Sequence, residues 1–292
     1  LEANNEAKNP RISVHHASEV IGMDEHPGQA LRKKKDASVV VATSLVRDNR
    51  CDAVIAPGST GAAVAAALFG LGRIKGIDRP VIATPMPTVS GITVMLDSGA
   101  NSNSKPKHLV QGALMGSEYA KLLLGKENPT VGLLNIGEEA TKGNDVVLAT
   151  YPILEGMKTI NFKGNIEGRD IPKGAVDVVV CDGFVGNVVL KFAEGLVTGL
   201  TQLVKDSIMA GSIFAKIGAM LVKPALKKMA KRLDHTENGG APLLGVNGVF
   251  MIAHGSSKAK EIKTAIEIAS DLVERKIIQH IRETMDIEGA LK

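Results

Sequence analysis

Short aliphatic runs alternate along the chain with longer stretches of helical period, joined by turns rich in Gly, Asn and charge. Val176 to Cys181 has the length and β-branched content of a buried parallel strand, stopped by Asp182 and Gly183. Asn187 opens a helical pattern with Val188, Val189, Phe192, Leu196 and Leu200 on or near one face. Upstream, the pattern predicts a short strand at Arg11–His15, a basic helix start over Pro27–Lys35 and a helix over Ser38–Asp48. A strand at Ala53–Ala56 leads through a Gly-rich turn into an Ala-rich helix ending at Leu71. Strands follow at Val81–Thr84 and Ile92–Leu96, then a helix at Pro106–Leu124 and a strand at Thr130–Leu134. A polar loop at Gly137–Lys142 precedes a helix at Asn144–Glu155. Past Lys191 the pattern turns helical. Pro224 should kink or divide the stretch from Ala210 to Leu233, and a polar loop should span Asp234–Pro242. A strand at Val246–Ala253 and a closing helix from Ser256 to Asp286 complete the chain, with Ile262, Ile266, Ala269, Leu272 and Val273 facing inward. Such alternation predicts an α/β fold with a doubly wound, mostly parallel sheet. The chain reads as one α/β catalytic unit over 1–292, with a helical excursion over 196–242 near the carboxyl end.

Composition narrows the function classes. The 292 residues are 44% hydrophobic with 31 Gly, enough for one long domain or two intimate lobes. Aromatics are only 3% and Trp is absent, so base-stacking platforms for single-stranded nucleic acid are not expected. A net charge of +4 does not by itself argue for a polyanion partner. Cys51 and Cys181 have no CxxC spacing and suit a reducing compartment. The start carries no secretory pattern, and no apolar run is long enough to cross a membrane.

In an open α/β sheet, ligands collect where strand carboxyl ends meet helix amino ends. Asn165, Glu167, Arg169, Asp182 and Asn187 fall there. Arg169 either forks onto a phosphate or pairs with Glu167 or Asp170. Asn165 and Asn187 offer neutral donors. Asp182 either orients phosphate or accepts its proton, or else caps the strand end. Gly58, Ser59, Thr60 and Gly61 form a turn before a helix, either an anion cradle or a tight turn capped by Thr60. Asp97 and Asn101 either position a ligand or turn the chain. His254 reads as a proton-transfer group or a hydrogen-bonded turn residue. Cys181 completes a Val-rich run and reads as an inert buried thiol. The four basic residues Arg32 to Lys35 read as a solvated face.

Several of these stretches together resemble a known family. They are Gly72-Arg-Ile-Lys-Gly-Ile-Asp-Arg-Pro80, Leu96-Asp97 with Gly99-Ala-Asn101, Asn135-Ile-Gly-Glu-Glu-Ala-Thr-Lys-Gly-Asn144, Lys163-Gly-Asn-Ile-Glu-Gly-Arg-Asp170 and Asp177-Val-Val-Val-Cys-Asp-Gly-Phe-Val-Gly-Asn187. His254-Gly-Ser-Ser-Lys258 is similar to a further turn. Nearly the whole chain thus resembles the phosphate acyltransferase (PlsX) family of bacterial phospholipid synthesis. The resemblance implies transfer of a long-chain fatty acyl group from acyl carrier protein to inorganic phosphate, with no metal and no cofactor. It implies an isocitrate/isopropylmalate dehydrogenase-like fold and a cytoplasmic homodimer peripherally associated with membrane, with no nucleic acid partner. It assigns Arg169, Asp182, Asn165 and Asn187 to catalysis. Gly58, Ser59, Thr60, Gly61, Asp97, Asn101, Glu167, Gly183 and His254 go to substrate and phosphate binding. The family's Ala-Gly-Asn-Thr-Gly turn reads Pro57-Gly-Ser-Thr-Gly61 here, and Ser98 stands where an apolar residue is common. The family's opening strand and glycine-rich acidic turn have no counterpart here.

Alternatives are a phosphotransacetylase acting on acetyl-coenzyme A and a non-catalytic carrier-protein or lipid-binding protein. A nicotinamide-dependent dehydrogenase lacks its marks: no clean GxGxxG follows a strand, and no helical Asp pair suggests a divalent metal. Between Ala210 and Leu233 there is no acidic residue. Lys216, Lys223, Lys227, Lys228, Lys231 and Arg232 accompany an apolar stripe there, and suit an acidic carrier protein or an anionic membrane surface.

Overall fold

The computed structural model describes residues 9–233 and 239–290. Helices α1 (Pro27–Lys33) and α2 (Ser38–Arg47) precede strand β1 (Ala53–Pro57) and α3 (Thr60–Gly70). Strands β2 (Val81–Ile82), β3 (Thr84–Thr88) and β4 (Gly91–Leu96) lead into α4 (Pro106–Leu124). Then come β5 (Thr130–Asn135), α5 (Asp145–Gly156), β6 (Asn161–Glu167) and β7 (Val178–Val180). The helices α6 (Gly183–Ala210) and α7 (Ile213–Leu233) pack on each other before β8 (Ala241–Leu244), β9 (Val249–Ala253), α8 (Ala259–Glu274) and α9 (Ile277–Ala290).

The strands form two sheets that part at Ala83. One is ordered β1-β9-β8-β2, with β1 and β9 parallel and the other pairs antiparallel. The other is ordered β3-β4-β7-β5-β6 and is parallel from β4 to β6, with β3 antiparallel at its edge. Alternation along β4 and β7 sends Val94, Leu96, Val178 and Val180 to one face, where α4 covers them with Leu109, Ala113 and Met115. Met95, Val179 and Cys181 point to the other face, where Val189, Leu190 and Ala193 of α6 close over them. Each fully buried aliphatic side chain contributes about 1.5–3 kcal/mol, so two covered faces fix this sheet firmly.

Several elements depart from the sequence pattern. Residues 11–15 form no strand, and the nearby pairing is a single bridge from Glu19 to Ala37. Strand β3 was hidden by Pro85 and Pro87, which an edge strand tolerates. Strand β8 falls where the polar loop was expected to end, and residues 234–238 of that loop lie outside the described residues. Helix α6 begins at Gly183 rather than Asn187, because the Asp182 carboxylate caps it through the amides of Phe184 and Val185. Helix α7 runs through Pro224 as one element. The carbonyl that Pro224 leaves without a donor belongs to Met220, a residue 68% exposed. The closing helix breaks into α8 and α9 at Lys276, whose φ is 54°. Ile266 points outward, while Ala265, Ala269 and Leu272 are buried. The stripe Val188, Phe192, Leu196 and Leu200 is exposed, since α6 turns its half-buried Val189, Leu190 and Ala193 to the sheet instead. By length and composition α6 can also cross a membrane: it has 28 residues and a best-window mean hydropathy of 1.2, though only 11% of that window is buried. No unbroken apolar run announces this, because Lys191 and Glu194 interrupt it.

Candidate active site

The site candidates sit on turns at the carboxyl ends of the parallel strands. The turn after β4 is built around Asp97, which is 3% exposed. Its carboxylate accepts hydrogen bonds from the amides of Ile82, Gly99, Ala100 and Asn101 and from Asn101 Nδ2. Burial pushes Asp97 up from the ordinary carboxylate range, against the pull of these donors. Asn101 also donates to the Pro80 carbonyl at 2.7 Å, and so ties the turn to the start of β2.

Onto this turn fits the first turn of α6. A Cβ on Gly183 would lie 2.4 Å from the Asn101 carbonyl oxygen, and one on Gly186 would lie 1.9 Å from that of Asp97. The helix therefore reaches the turn only because both positions lack a side chain. Asn187 lies over Gly99, with its side-chain atoms 3.5–3.6 Å from where a Cβ would stand. Asp97, Asn101, Gly183 and Asn187 are thus brought into one packed unit. Cys181 lies beneath it with Sγ 3.7 Å from the Asp97 carbonyl. Burial, then the charges of Asp97 and Asp182, push its thiol well above the usual range, so it is a poor nucleophile.

Residues 187, 191 and 194 stack on one side of α6, since side chains four and seven residues apart share a face. Asn187 meets Gly99, Lys191 pairs with Glu194 at 2.8 Å, and Glu194 lies 3.8 Å from Nε2 of His254 after β9. A cleft of about 570 Å³ opens here, lined by Lys191, Glu194, His254, Ser256, Lys258 and Glu261 among others. Lys191 and Glu194 were missed in the sequence; their spacing from Asn187 was the available signal. The turn after β1 adjoins the same place. Gly58 N donates to the Ala253 carbonyl, and its Cα lies 3.6 Å from the Cβ position of Gly255. Ser59, not Thr60, caps α3, accepting from Ala62 N at 3.4 Å. Gly61 makes room for Pro27 of α1, whose ring would lie 2.8 Å from a Cβ there.

The turn after β6 stands apart, because β5 separates β6 from β7. Arg169 is 71% exposed and forms an ion pair through Nε with Glu167, the pairing that was its bland alternative. Asp170 accepts from Glu167 N and pairs with Lys173 at 2.8 Å, holding its carboxyl below the ordinary range. Asn165 is 5% exposed and gives its amide N–H to the Glu139 carbonyl at 2.9 Å. What it offers in this arrangement is Oδ1, a buried acceptor without a partner, rather than the donor expected. Among the described residues, no group of three or more His, Cys, Asp or Glu is placed to hold a metal.

On α7, Lys216, Lys223, Lys227 and Lys228 are exposed beside Ile213, Phe214, Met220 and Leu221, which are 65–81% exposed. The side chains of Lys231 and Arg232 lie outside the described residues.

Comparison with known proteins places the fold and the family. A phosphotransacetylase from Streptococcus pyogenes superposes with a TM-score of 0.57 at 17% identity, covering 85% of this chain and 70% of that one. A EutD phosphotransacetylase from Staphylococcus aureus gives 0.56 at 14% identity, covering 86% and 71%. Both show the shared α/β fold. Residues 1–280 match the fatty acid synthesis protein family. A phosphate acyltransferase from Desulfitobacterium hafniense is 56% identical over 276 residues, 94% of this chain and 82% of the relative. One from Heliobacterium modesticaldum is 58% identical over 273 residues, 94% and 81%. Identity of this order over 94% of the chain, with the family match over residues 1–280, makes the chain a member of the phosphate acyltransferase family, and an enzyme.

Proposed function

We propose that this enzyme moves a long-chain fatty acyl group from acyl carrier protein to inorganic phosphate, releasing an acyl phosphate for phospholipid synthesis. The observation that carries this reading is the seating of α6. Its amino end rests on the Asp97 turn with Asn187 over Gly99, and on the same helix face Lys191 and Glu194 line a polar cleft with His254. A phosphate oxygen attacks the thioester carbonyl, the carbonyl oxygen takes the negative charge, and the thiolate leaves. The α6 amino terminus and the Asn187 amide favour that oxyanion. Asp182 uses Oδ1 to cap α6, so Oδ2 remains to take the proton of the attacking phosphate. Arg169 exchanges Glu167 for phosphate oxygens, and the turn from Gly58 to Gly61 supplies amides at the cleft margin.

The α6–α7 surface is proposed to meet other bodies from the cytoplasmic side. The exposed stripe of α6 fits a second copy, and the basic, apolar α7 fits the acidic carrier protein or an anionic membrane. The test is an acyl-phosphate assay with long-chain acyl-acyl carrier protein and acetyl-coenzyme A side by side. Acyl phosphate from the carrier protein alone supports the proposal. Preference for acetyl-coenzyme A supports the phosphotransacetylase reading. Saturable carrier-protein binding without turnover makes the chain a binding protein.

A further inference from the structure

We propose that the amino-terminal end of α4 is a second binding subsite, built for a tetrahedral phosphate group. It lies outside the cleft and uses residues given no role above. Helix α4 has 19 residues, and its amino end presents partial positive charge and a Lys107 amide outside the helical ladder.

Two largely buried side chains there each keep a donor that no described protein group receives. His108 is 8% exposed, and its Nδ1 accepts the Lys105 amide at 3.1 Å. That bond fixes the tautomer: the proton sits on Nε2, on the far side of the ring, as a donor open to an incoming group. Ser104, also 8% exposed, stands one residue before the helix cap, and its hydroxyl makes no hydrogen bond.

The charges around this end are mostly positive. Gln111 clamps the loop before β2, donating to the Gly76 carbonyl at 2.7 Å and accepting from Asp78 N at 2.9 Å. The clamp delivers Arg79 beside Lys105 and Lys107, and all three act on His108. Asp78 is the carboxylate acting there, and it is bound to Lys107 at 3.3 Å. Burial, then Arg79, hold His108 below its ordinary pKa, so near neutral pH it donates as a neutral ring. Arg79 is exposed and makes one long bond, 3.5 Å to Asn101 Oδ1, which leaves its planar fork open. Donors and cations dominate here, the chemistry of oxyanion capture.

Through Asn101 the subsite touches the turn on which α6 is seated. Given the proposed function, on which this assignment rests, two sources supply a phosphate there. One is inorganic phosphate as substrate; the other is the phosphodiester joining an acyl carrier protein to its pantetheine thiol arm. The test compares wild type with Arg79→Gln and Lys107→Gln, both exposed positions whose loss spares the fold. Acyl-pantetheine, which has no phosphate, and acyl-phosphopantetheine serve as donors. Occupation by inorganic phosphate raises the KM for phosphate about tenfold with either donor. Occupation by the arm raises the KM for acyl-phosphopantetheine by a similar factor and leaves acyl-pantetheine unchanged. Unchanged KM values in both active variants overturn the proposal. NMR of ¹⁵N-histidine-labelled protein provides a readout without turnover. The His108 Nε2–H resonance shifts on titration with inorganic phosphate or phosphopantetheine if the subsite exists, and stays fixed with both if it does not. An inactive wild type whose His108 signal still moves sinks the proposed function and keeps the subsite.

Discussion

Gly183 and Gly186 illustrate how a missing side chain can position a helix. At Gly186 a methyl group would fall 1.9 Å from the Asp97 carbonyl oxygen, a rigid backbone atom. Gly186→Ala should therefore lower the unfolding free energy by at least the roughly 1–3 kcal/mol of an overpacked site, read as a shift in urea midpoint. Gly195 on the same helix has nothing within 4 Å. Gly195→Ala should be neutral or stabilising by about 0.5–1 kcal/mol, since it removes only chain entropy. Equal effects at the two positions would refute the packing account. Arg169 presents a different case. Arg169→Lys keeps a charge but loses the planar fork, and a charge-assisted hydrogen bond is worth about 1.5–3 kcal/mol. The variant should raise the phosphate KM and slow turnover while unfolding like the parent; unchanged kinetics would leave Arg169 only its ion pair with Glu167. The roles of Asp182 as a cap and Cys181 as a buried thiol were legible because each follows a strand and precedes an apolar face. The Asp97 turn was legible as a local side-chain turn, since Gly99, Ala100 and Asn101 donate to it, but its bond from Ile82, fifteen residues upstream, was not.

At the scale of elements, the short turn carrying Arg169 depends on Asp170. Its carboxyl is held below the ordinary 3.8, first by Lys173 and then by the Glu167 amide. A depressed pKa stabilises the fold above the unfolded value and loses that contribution as pH falls through the folded value. Acidification below about pH 4 should thus cost the parent more stability than Asp170→Asn, measured as urea midpoints. Parallel slopes for the two proteins would remove Asp170 as the anchor. Helix and strand types were readable from period and from β-branched runs. What escaped was the order of pairing and the ends: β3 was masked by prolines, α6 began one turn early, and α8 stopped at Glu274. Boundaries of that kind are set by single capping carboxylates and positive φ values, which leave little trace in a hydrophobic pattern.

On the scale of the whole molecule, α6 joins the chemistry to the outside. Its amino end rests on the Asp97 turn, while farther along it carries exposed Phe192, Leu196 and Leu200. Replacing Lys223, Lys227 and Lys228 by Gln should weaken flotation with anionic liposomes or raise the KM for acyl carrier protein at low salt. Each cation near an anionic bilayer contributes about 1 kcal/mol, and screening removes it at high salt. A triple variant matching the parent at low salt in both measurements would show that α7 is not an electrostatic docking surface. The convergence of the turns after β1, β4, β7 and β9 was foreseeable from the α/β alternation. The division into two sheets was not, because the break at Ala83 lies inside one apolar run.

One further consequence follows from β3. In its antiparallel ladder with β4, Thr84, Met86 and Thr88 alternate with Pro85 and Pro87, which face Val94 and Ile92. Adjacent residues of an edge strand send their amides in opposite directions, so one set points out of the sheet. On β3 two positions of the same parity are prolines, which have no amide hydrogen at all. The border of the five-stranded sheet is thereby a poor template for a strand from another molecule. Pro85→Val with Pro87→Val should leave the fold in place yet shorten the lag before fibrillar aggregation in concentrated protein.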